Sequence, residues 1–301
     1  MSKPPKNIAH SIHEKLLNKA KIEKRPFNEL LQYYAMERFL YRLSVSAHKP
    51  YFILKGALCL KTLHCTELRP TMDIDLLGKT SNDEPHIIDK VKEILSVEVD
   101  SDGLVFDSET IQAKRIVENA YYAGIRVQFL GLLETAKIRM QIDIGFDDIV
   151  YPAPEESEFP TVLDAPAPQL LCYSRESIIA EKFEAMIKLG ELNSRMKDFH
   201  DIWLLSRQFD FSGQELAHAI ELTFQHRGTE ITDQIIAFSD TFITQKQGQW
   251  NAFKRKIKQV TIPEKFETIV KEIDSFLRPV AQSLCNKTSV PSKWIASGVW
   301  K

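Results

Sequence analysis

The sequence is short of the features that mark several protein classes. No apolar run approaches the roughly 18 residues that a membrane-spanning helix needs. Residues 1–15 lack the apolar core of a secretory signal, so a cytoplasmic protein with no membrane association is expected. The four cysteines, Cys59, Cys65, Cys172 and Cys285, form no CxxC pair and suit reduced thiols better than a zinc site. No HExxH motif occurs, so a zinc hydrolase has no support, and no GxxxxGK[ST] loop occurs, so this is not a Walker-type NTPase. Positive charge is not in excess: 39 Lys and Arg stand against 41 Asp and Glu, a net charge of −2. A chain-wide field that attracts nucleic acid is therefore absent. Internal repeats and low-complexity tracts are absent too.

What is present is an ordinary globular composition, 44% hydrophobic and 27% charged over 301 residues, enough for one large domain or two modest ones. Basic charge is clustered locally. Residues 1–25 hold Lys3, Lys6, Lys15, Lys19, Lys21, Lys24 and Arg25 against Glu14 and Glu23, and residues 246–258 hold Lys246, Lys254, Arg255, Lys256 and Lys258 with no acid.

Hydrophobic periodicity predicts helices over 7–45, divided at Pro26, then a strand at 51–54 ended by Gly56 and a helix from Ala57 to His64. Alternation predicts strands at 73–77, 111–117, 124–130 and 137–146, with a helix over 85–95 and a turn from Asn119 to Gly124. The proline-rich stretch from Pro152 to Pro168 reads as a crossing linker. Beyond it, helices are expected over 175–189 (capped by Ser174), 194–208, 213–225, 228–244, 249–259 and 263–284, followed by a loosely held tail from Asn286. This predicts an α+β chain with a core over 1–165 and a mostly helical region over 166–301.

Asp73 and Asp75 stand at i and i+2 on a predicted strand, so their carboxylates share a face. Two such groups either lie solvated or are held together by a divalent cation. Asp143, on the polar face of the strand at 137–146, supplies a third acid for a two-metal phosphoryl-transfer site, unless it pairs with Arg139. Lys55-Gly56 between strand and helix suits close approach of a phosphate. Arg69 and Thr71, just before the acid strand, could contact phosphate or hold the carboxylates, or Arg69 could pair with Glu67. Lys182 is offset from the apolar stripe of its helix; Asp198 and Asp201 share a face of the next, where Lys197 is a ready partner for Asp201. The segment Trp250 to Lys256 places cations beside aromatics, as in contacts to single-stranded nucleic acid, but reads equally as a solvated amphipathic helix.

Four ordered blocks resemble the AbiEii/AbiGii-type nucleotidyltransferase family, which includes toxins of toxin–antitoxin and abortive-infection systems. They are Phe52-Ile53-Leu54-Lys55-Gly56-Ala57, Arg69-Pro70-Thr71-Met72-Asp73-Ile74-Asp75-Leu76-Leu77-Gly78, Ala180-Glu181-Lys182-Phe183-Glu184-Ala185-Met186, and the run from Asn193 to Asp201. The resemblance implies a polymerase-β-like core of small mixed sheet and flanking helices, with a C-terminal helical region completing the site. It implies Mg²⁺-dependent transfer of a nucleoside monophosphate from an NTP to RNA, with tRNA the favoured acceptor, and a separately encoded antitoxin. By motif position, Asp73, Asp75 and Asp143 would hold metal; Lys55, Gly56, Ala57, Arg69, Thr71 and Lys182 would bind nucleotide; Lys182 and Asp198 would join the three acids in catalysis. Ala57 departs from the usual Gly-Ser or Gly-Gly, and His200 stands where a tyrosine is common. The same fold could instead nucleotidylate a protein or a small molecule, or bind nucleotide without turnover.

Overall fold

The computed structural model describes residues 7–118, 122–257, 261–296 and 298–301. The chain divides into two compact units, each built from several segments. The first comprises the chain up to Leu63, Thr71–Asp147 and Glu155–Cys172; the second comprises His64–Pro70, Asp148–Pro154 and Tyr173–Lys301.

In the first unit, α1 (Ile8–Glu23) starts at Asn7, whose side chain accepts from the His10 amide, and stops at Lys24 in the left-handed conformation. Pro26 then opens α2 (Phe27–Val45), which is buried along most of its length. β1 (Phe52–Lys55) leads into the short α3 (Gly56–Thr62), and β2 (Ile74–Gly78) precedes α4 (Glu84–Leu95). The long β3 (Leu104–Glu118) and β4 (Tyr122–Leu133) are followed by β5 (Ala136–Phe146), β6 (Glu155–Glu158) and β7 (Gln169–Cys172). The seven strands make one mixed sheet in the order β3-β4-β5-β2-β1-β7-β6. β2 runs parallel to β5, and β1 parallel to β7; the other neighbours are antiparallel.

Period-two alternation sets the two faces of this sheet. Ile138, Met140, Ile142 and Ile144 of β5 and Ile125, Val127 and Phe129 of β4 are buried on one side, and α2, α4 and α1 pack against the sheet. β3 and β4 run further than the alternation indicated. A register shift between Asp107 and Gln112 interrupts the pattern in β3 and hides its first half. Of the expected turn, residues 119–121 lie outside the described residues.

The proline-rich stretch is not a free linker. Glu155–Glu158 pairs with β7 at the edge of the sheet. α2 holds the remainder: Glu37 accepts from the Val162 amide, and Arg38 donates to the Pro166 carbonyl at 2.7 Å. The same helix secures the start of β3. Arg42 donates to both Asp102 oxygens at 2.6 and 3.2 Å, while Asp102 also accepts from the Leu104 amide.

The second unit contains α5 (Arg175–Leu189), capped by the Ser174 hydroxyl, and α6 (Met196–Gln208). β8 (Phe211–Ser212), α7 (Gly213–Arg227), α8 (Asp240–Ile257), α9 (Phe266–Asn286), β9 (Lys293–Ile295) and β10 (Val299–Trp300) follow. Two expectations are corrected here. The helix expected over 228–244 begins only at Asp240 and continues, as α8, through the second one expected over 249–259 to Ile257, with 258 and 259 outside the described residues. Gly228, left-handed at φ 60°, ends α7, and a single buried stripe of Phe242, Ile243, Lys246, Trp250 and Ile257 carries α8 through Gly248. The tail after Asn286 is anchored, because β9 pairs with β8 and Trp294 is only 2% exposed. Its indole donates to the Ser206 carbonyl at 2.6 Å, and Trp300 stacks on Phe276. No helix among the described residues is long and apolar enough to cross a membrane.

Removing one member of the buried Arg42–Asp102 pair leaves an uncompensated charge. Arg42→Met is expected to lower unfolding free energy by about 3–5 kcal/mol, with Arg42→Met/Asp102→Asn recovering part of the loss. Urea denaturation of the two variants checks this.

Candidate active site

Strand register creates the site. Asp75 on β2 lies directly beside Asp143 on the parallel strand β5 and opposite Lys55 on β1. Asp143 lies opposite Arg126 on β4, and Arg126 opposite Lys114 on β3. Lys55, Asp75, Asp143, Arg126 and Lys114 therefore form one rung across five strands, on the face away from the apolar side chains of β4 and β5. Asp73, just ahead of β2, brings a third carboxylate. One oxygen from each of Asp73, Asp75 and Asp143 lies within 4.8 Å of the others.

Three like charges at this separation repel. All-oxygen donors with formal negative charge suit a hard divalent cation such as Mg²⁺ or Mn²⁺, so the residues present fit a metal. Other contacts hold the acids in place. The Thr71 hydroxyl donates to Asp73 at 2.5 Å, and the Thr71 amide donates to the Tyr33 hydroxyl at 3.0 Å. Gln32 on α2 donates to the Met72 carbonyl and to the Arg139 carbonyl, at 3.3 and 3.1 Å, tying the acid-bearing loop to β5.

Asp143 takes its cation from a different strand than expected. Arg126 grips it with Nε and Nη2 at 2.8 and 2.7 Å, and Gln141 donates to it at 3.4 Å. Arg139 lies about 13 Å away along the same strand, whereas cross-strand neighbours are about 5 Å apart. Arg126 was missed because a cross-strand partner appears only once the register is known; its polar parity on β4 was the available signal.

Gly56 has φ +69°, and a Cβ there would overlap the Asp75 carboxylate. Glycine is therefore required both by the backbone and by close packing against an acid of the triad. Ala57 is buried, so only its backbone could face a nucleotide; Lys55 is buried at the end of β1.

The later motif residues form a separate cluster in the second unit. Lys182 Nζ lies 2.8 Å from Asp198 and 2.9 Å from Asp201. Arg69 Nε donates to Asp201 at 3.0 Å, and Arg195 Nε to Asp198 at 2.5 Å. Arg69 thus pairs with Asp201 instead of Glu67, and Asp201 takes Arg69 and Lys182 instead of Lys197. Burial pulls the Lys182 ammonium down, but Asp198 and Asp201 more than offset it and leave its pKa raised. Burial likewise pushes both acids up. Lys182 and Arg195 bring Asp198 below the usual carboxylate range, and Arg69 and Lys182 bring Asp201 well below it. The cluster therefore holds its full charges at neutral pH. Trp250 is fully buried with its indole donating to the Pro263 carbonyl, so the Trp250 to Lys256 segment offers no tryptophan face for base stacking.

Two carboxylates from the β2 segment and one from the neighbouring β5, backed by a glycine turn, are a donor set suited to metal-assisted phosphoryl transfer. Residues 38–272 match the family of nucleotidyl transferase AbiEii toxins of type IV toxin–antitoxin systems, and the chain belongs to that family. The protein is a nucleotidyltransferase of the toxin type, for which a nucleotide substrate and an antitoxin are implied. Two solved structures resemble it. A Helicobacter pylori protein described as a candidate nucleotidyltransferase has TM-score 0.45 and 12% identity, covering 90% of this chain and 96% of its own. JHP933 from Helicobacter pylori has TM-score 0.45 and 12% identity, covering 91% and 96%. No curated protein matches the chain.

Two outcomes follow from these contacts. Gly56→Ala is expected to displace the Asp75 carboxylate, weaken Mn²⁺ binding in calorimetry, and lower activity by about 10²-fold, the cost of a small misplacement at a reacting centre. Asp201, with its folded pKa depressed below the unfolded 3.8, stabilises the fold at pH values above 3.8. That contribution fades as pH falls below 3.8 toward the folded value. The stability difference between wild type and Asp201→Asn is thus expected to be constant near neutrality and to shrink in that acid window, as urea titrations at stepped pH would show.

Proposed function

We propose that the protein transfers a nucleoside monophosphate from an NTP to an RNA hydroxyl, with tRNA as the acceptor class, in a Mg²⁺-dependent reaction held in check by a separately encoded antitoxin. The observation that carries this reading is the parallel β2–β5 register, which sets Asp75 beside Asp143 with Asp73 close by. Family membership supports the nucleotidyl chemistry.

Asp73, Asp75 and Asp143 are assigned to Mg²⁺, which when bound would neutralise charge on the triphosphate. The RNA hydroxyl oxygen forms a bond to the α-phosphorus, the bond from that phosphorus to the β-phosphate oxygen breaks, and pyrophosphate leaves. The hydroxyl proton departs to a carboxylate of the triad. Arg126 orients Asp143, and Thr71 orients Asp73, so both acids are preorganised before substrate arrives. Gly56, with the backbone of Ala57 and the side chain of Lys55, is assigned to nucleotide contact. By motif position Lys182 is assigned to the nucleotide phosphates, Arg69 to nucleotide binding, and Asp198 to holding Lys182 in the catalytic set.

Incubation with each α-labelled NTP, Mg²⁺ and total RNA tests the proposal. Label is expected in an RNA band with wild type, and Asp75→Ala and Asp143→Asn are each expected to reduce it by about 10³-fold, the scale of losing a preorganised electrostatic group. Label in a protein or small product would keep the chemistry and overturn the acceptor. No transfer from any NTP would overturn the catalytic reading.

A further inference from the structure

The sheet face that bears the acidic triad continues well beyond it. On β5, Arg139 and Lys137 follow the parity of Asp143 and are exposed; on β4, Gln128 follows Arg126; on β3, Lys114 and Gln112 stand opposite Arg126 and Gln128. Gln128 donates to Gln141 at 3.0 Å, and Gln141 to Asp143, so the amides form a bonded row leading to the metal carboxylates. Leu130 and Leu132 occupy the same face further along, opposite Arg139 and Lys137.

From the triad rung toward Lys137 the charge on this face is mostly positive. Lys114, Lys137 and Arg139 make no ion pair among the described residues, while Arg126 is matched by Asp143. Beyond the triad two acids of β3 have this parity: Asp107, opposite Leu130, turns its carboxylate to the Glu109 amide at the irregularity in the strand, and Glu118 stands at the strand's far end, opposite Tyr122 and away from Lys137 and Arg139. An exposed sheet face ordinarily mixes both signs, because like charges opposite one another are destabilising. Here cations and amides extend about 20 Å along β5 from Asp143 to Lys137 and about 10 Å across to Lys114, on a chain whose net charge is −2.

We propose that the open face of β3, β4 and β5 is the acceptor platform: Lys114, Lys137 and Arg139 bind the phosphodiester backbone of a single-stranded RNA end and lead its terminal hydroxyl toward the Asp75–Asp143 rung. Phosphate contacts position a strand without reading its sequence. Gln112 and Gln128 offer amides to sugar or base edges, and Leu130 with Leu132 gives an apolar surface for a base. The platform rests on the RNA-acceptor reading above, but it is tested by binding and not by turnover.

The experiment measures anisotropy of a labelled single-stranded RNA on full-length protein across a salt series. The variants are Lys114→Gln/Lys137→Gln/Arg139→Gln and a matched control, Lys15→Gln/Lys21→Gln/Lys24→Gln, which removes three exposed charges from α1 and the residue that ends it. Wild type and Asp75→Ala are included, and thermal unfolding confirms that each variant folds. The platform triple is expected to bind at least tenfold more weakly. Its slope of log affinity against log salt should be shallower by about 2, from three phosphate contacts at about 0.7 each. The control triple and Asp75→Ala are expected to keep wild-type binding. Equal losses in the two triples would reduce the effect to net charge and overturn the proposal. So would wild-type binding by the platform triple, or tighter binding of a polyglutamate peptide than of RNA. RNA binding that depends on the platform, without label transfer from any NTP, would sustain the platform and overturn the catalytic reading instead.

Discussion

Everything at the site depends on one electrostatic problem: two carboxylates placed side by side on parallel strands. Asp75 and Asp143 cannot be separated without breaking the β2–β5 register, because a slip of either strand by one residue would turn its carboxylate onto the apolar face. That register is fixed by Ile74, Leu76, Ile142 and Ile144, which are almost fully buried on the other side. The hydrophobic core thus enforces a charge arrangement that the carboxylates alone would reject. The repulsion is relieved on one flank by the bidentate Arg126 grip on Asp143, and the chemistry of the donors points to a divalent cation for the rest.

The surrounding structure keeps that arrangement rigid. α2 is the central support, with Gln32 and Tyr33 fixing the loop that carries Asp73, Arg42 fixing the start of β3, and Glu37 with Arg38 fixing the proline-rich segment. Burying so many polar groups on one helix is costly unless each finds a partner. The partners here are mainly backbone groups of loops with no regular structure of their own. A single helix therefore sets the positions of three loops, and the position of the triad is inherited from that helix as well as from the sheet.

Much of this was legible in the sequence where local periodicity controls structure. Alternation over 137–146 identified β5 and the face of Asp143, and the i, i+2 spacing identified Asp73 and Asp75. The blocks around Gly56, Asp75, Lys182 and Asp198 pointed to the family to which the chain belongs. What was not legible depended on contacts across the chain. Arg126 could not be matched to Asp143 without the β4–β5 pairing. The edge strand at Glu155–Glu158 has no apolar alternation, since its backbone and not its side chains makes the contact. The C-terminal strands are short and irregular, and only the burial of Trp294 shows why they are ordered.

The two halves of the motif set solve charge burial in opposite ways. In the second unit, Asp198 and Asp201 are fully buried yet surrounded by Lys182, Arg69 and Arg195, so every acid has a cation from its own chain. In the first unit, three carboxylates converge within 4.8 Å of one another on one face of the sheet. A cluster that balances itself is suited to fixing backbone geometry and to keeping Lys182 protonated through the pH range in which nucleotides are fully ionised. Three oxygen donors gathered this closely are a set that a divalent cation can bridge. The donor set whose chemistry suits a divalent cation is therefore that of Asp73, Asp75 and Asp143, whereas Asp198 is occupied in holding Lys182 and Arg195.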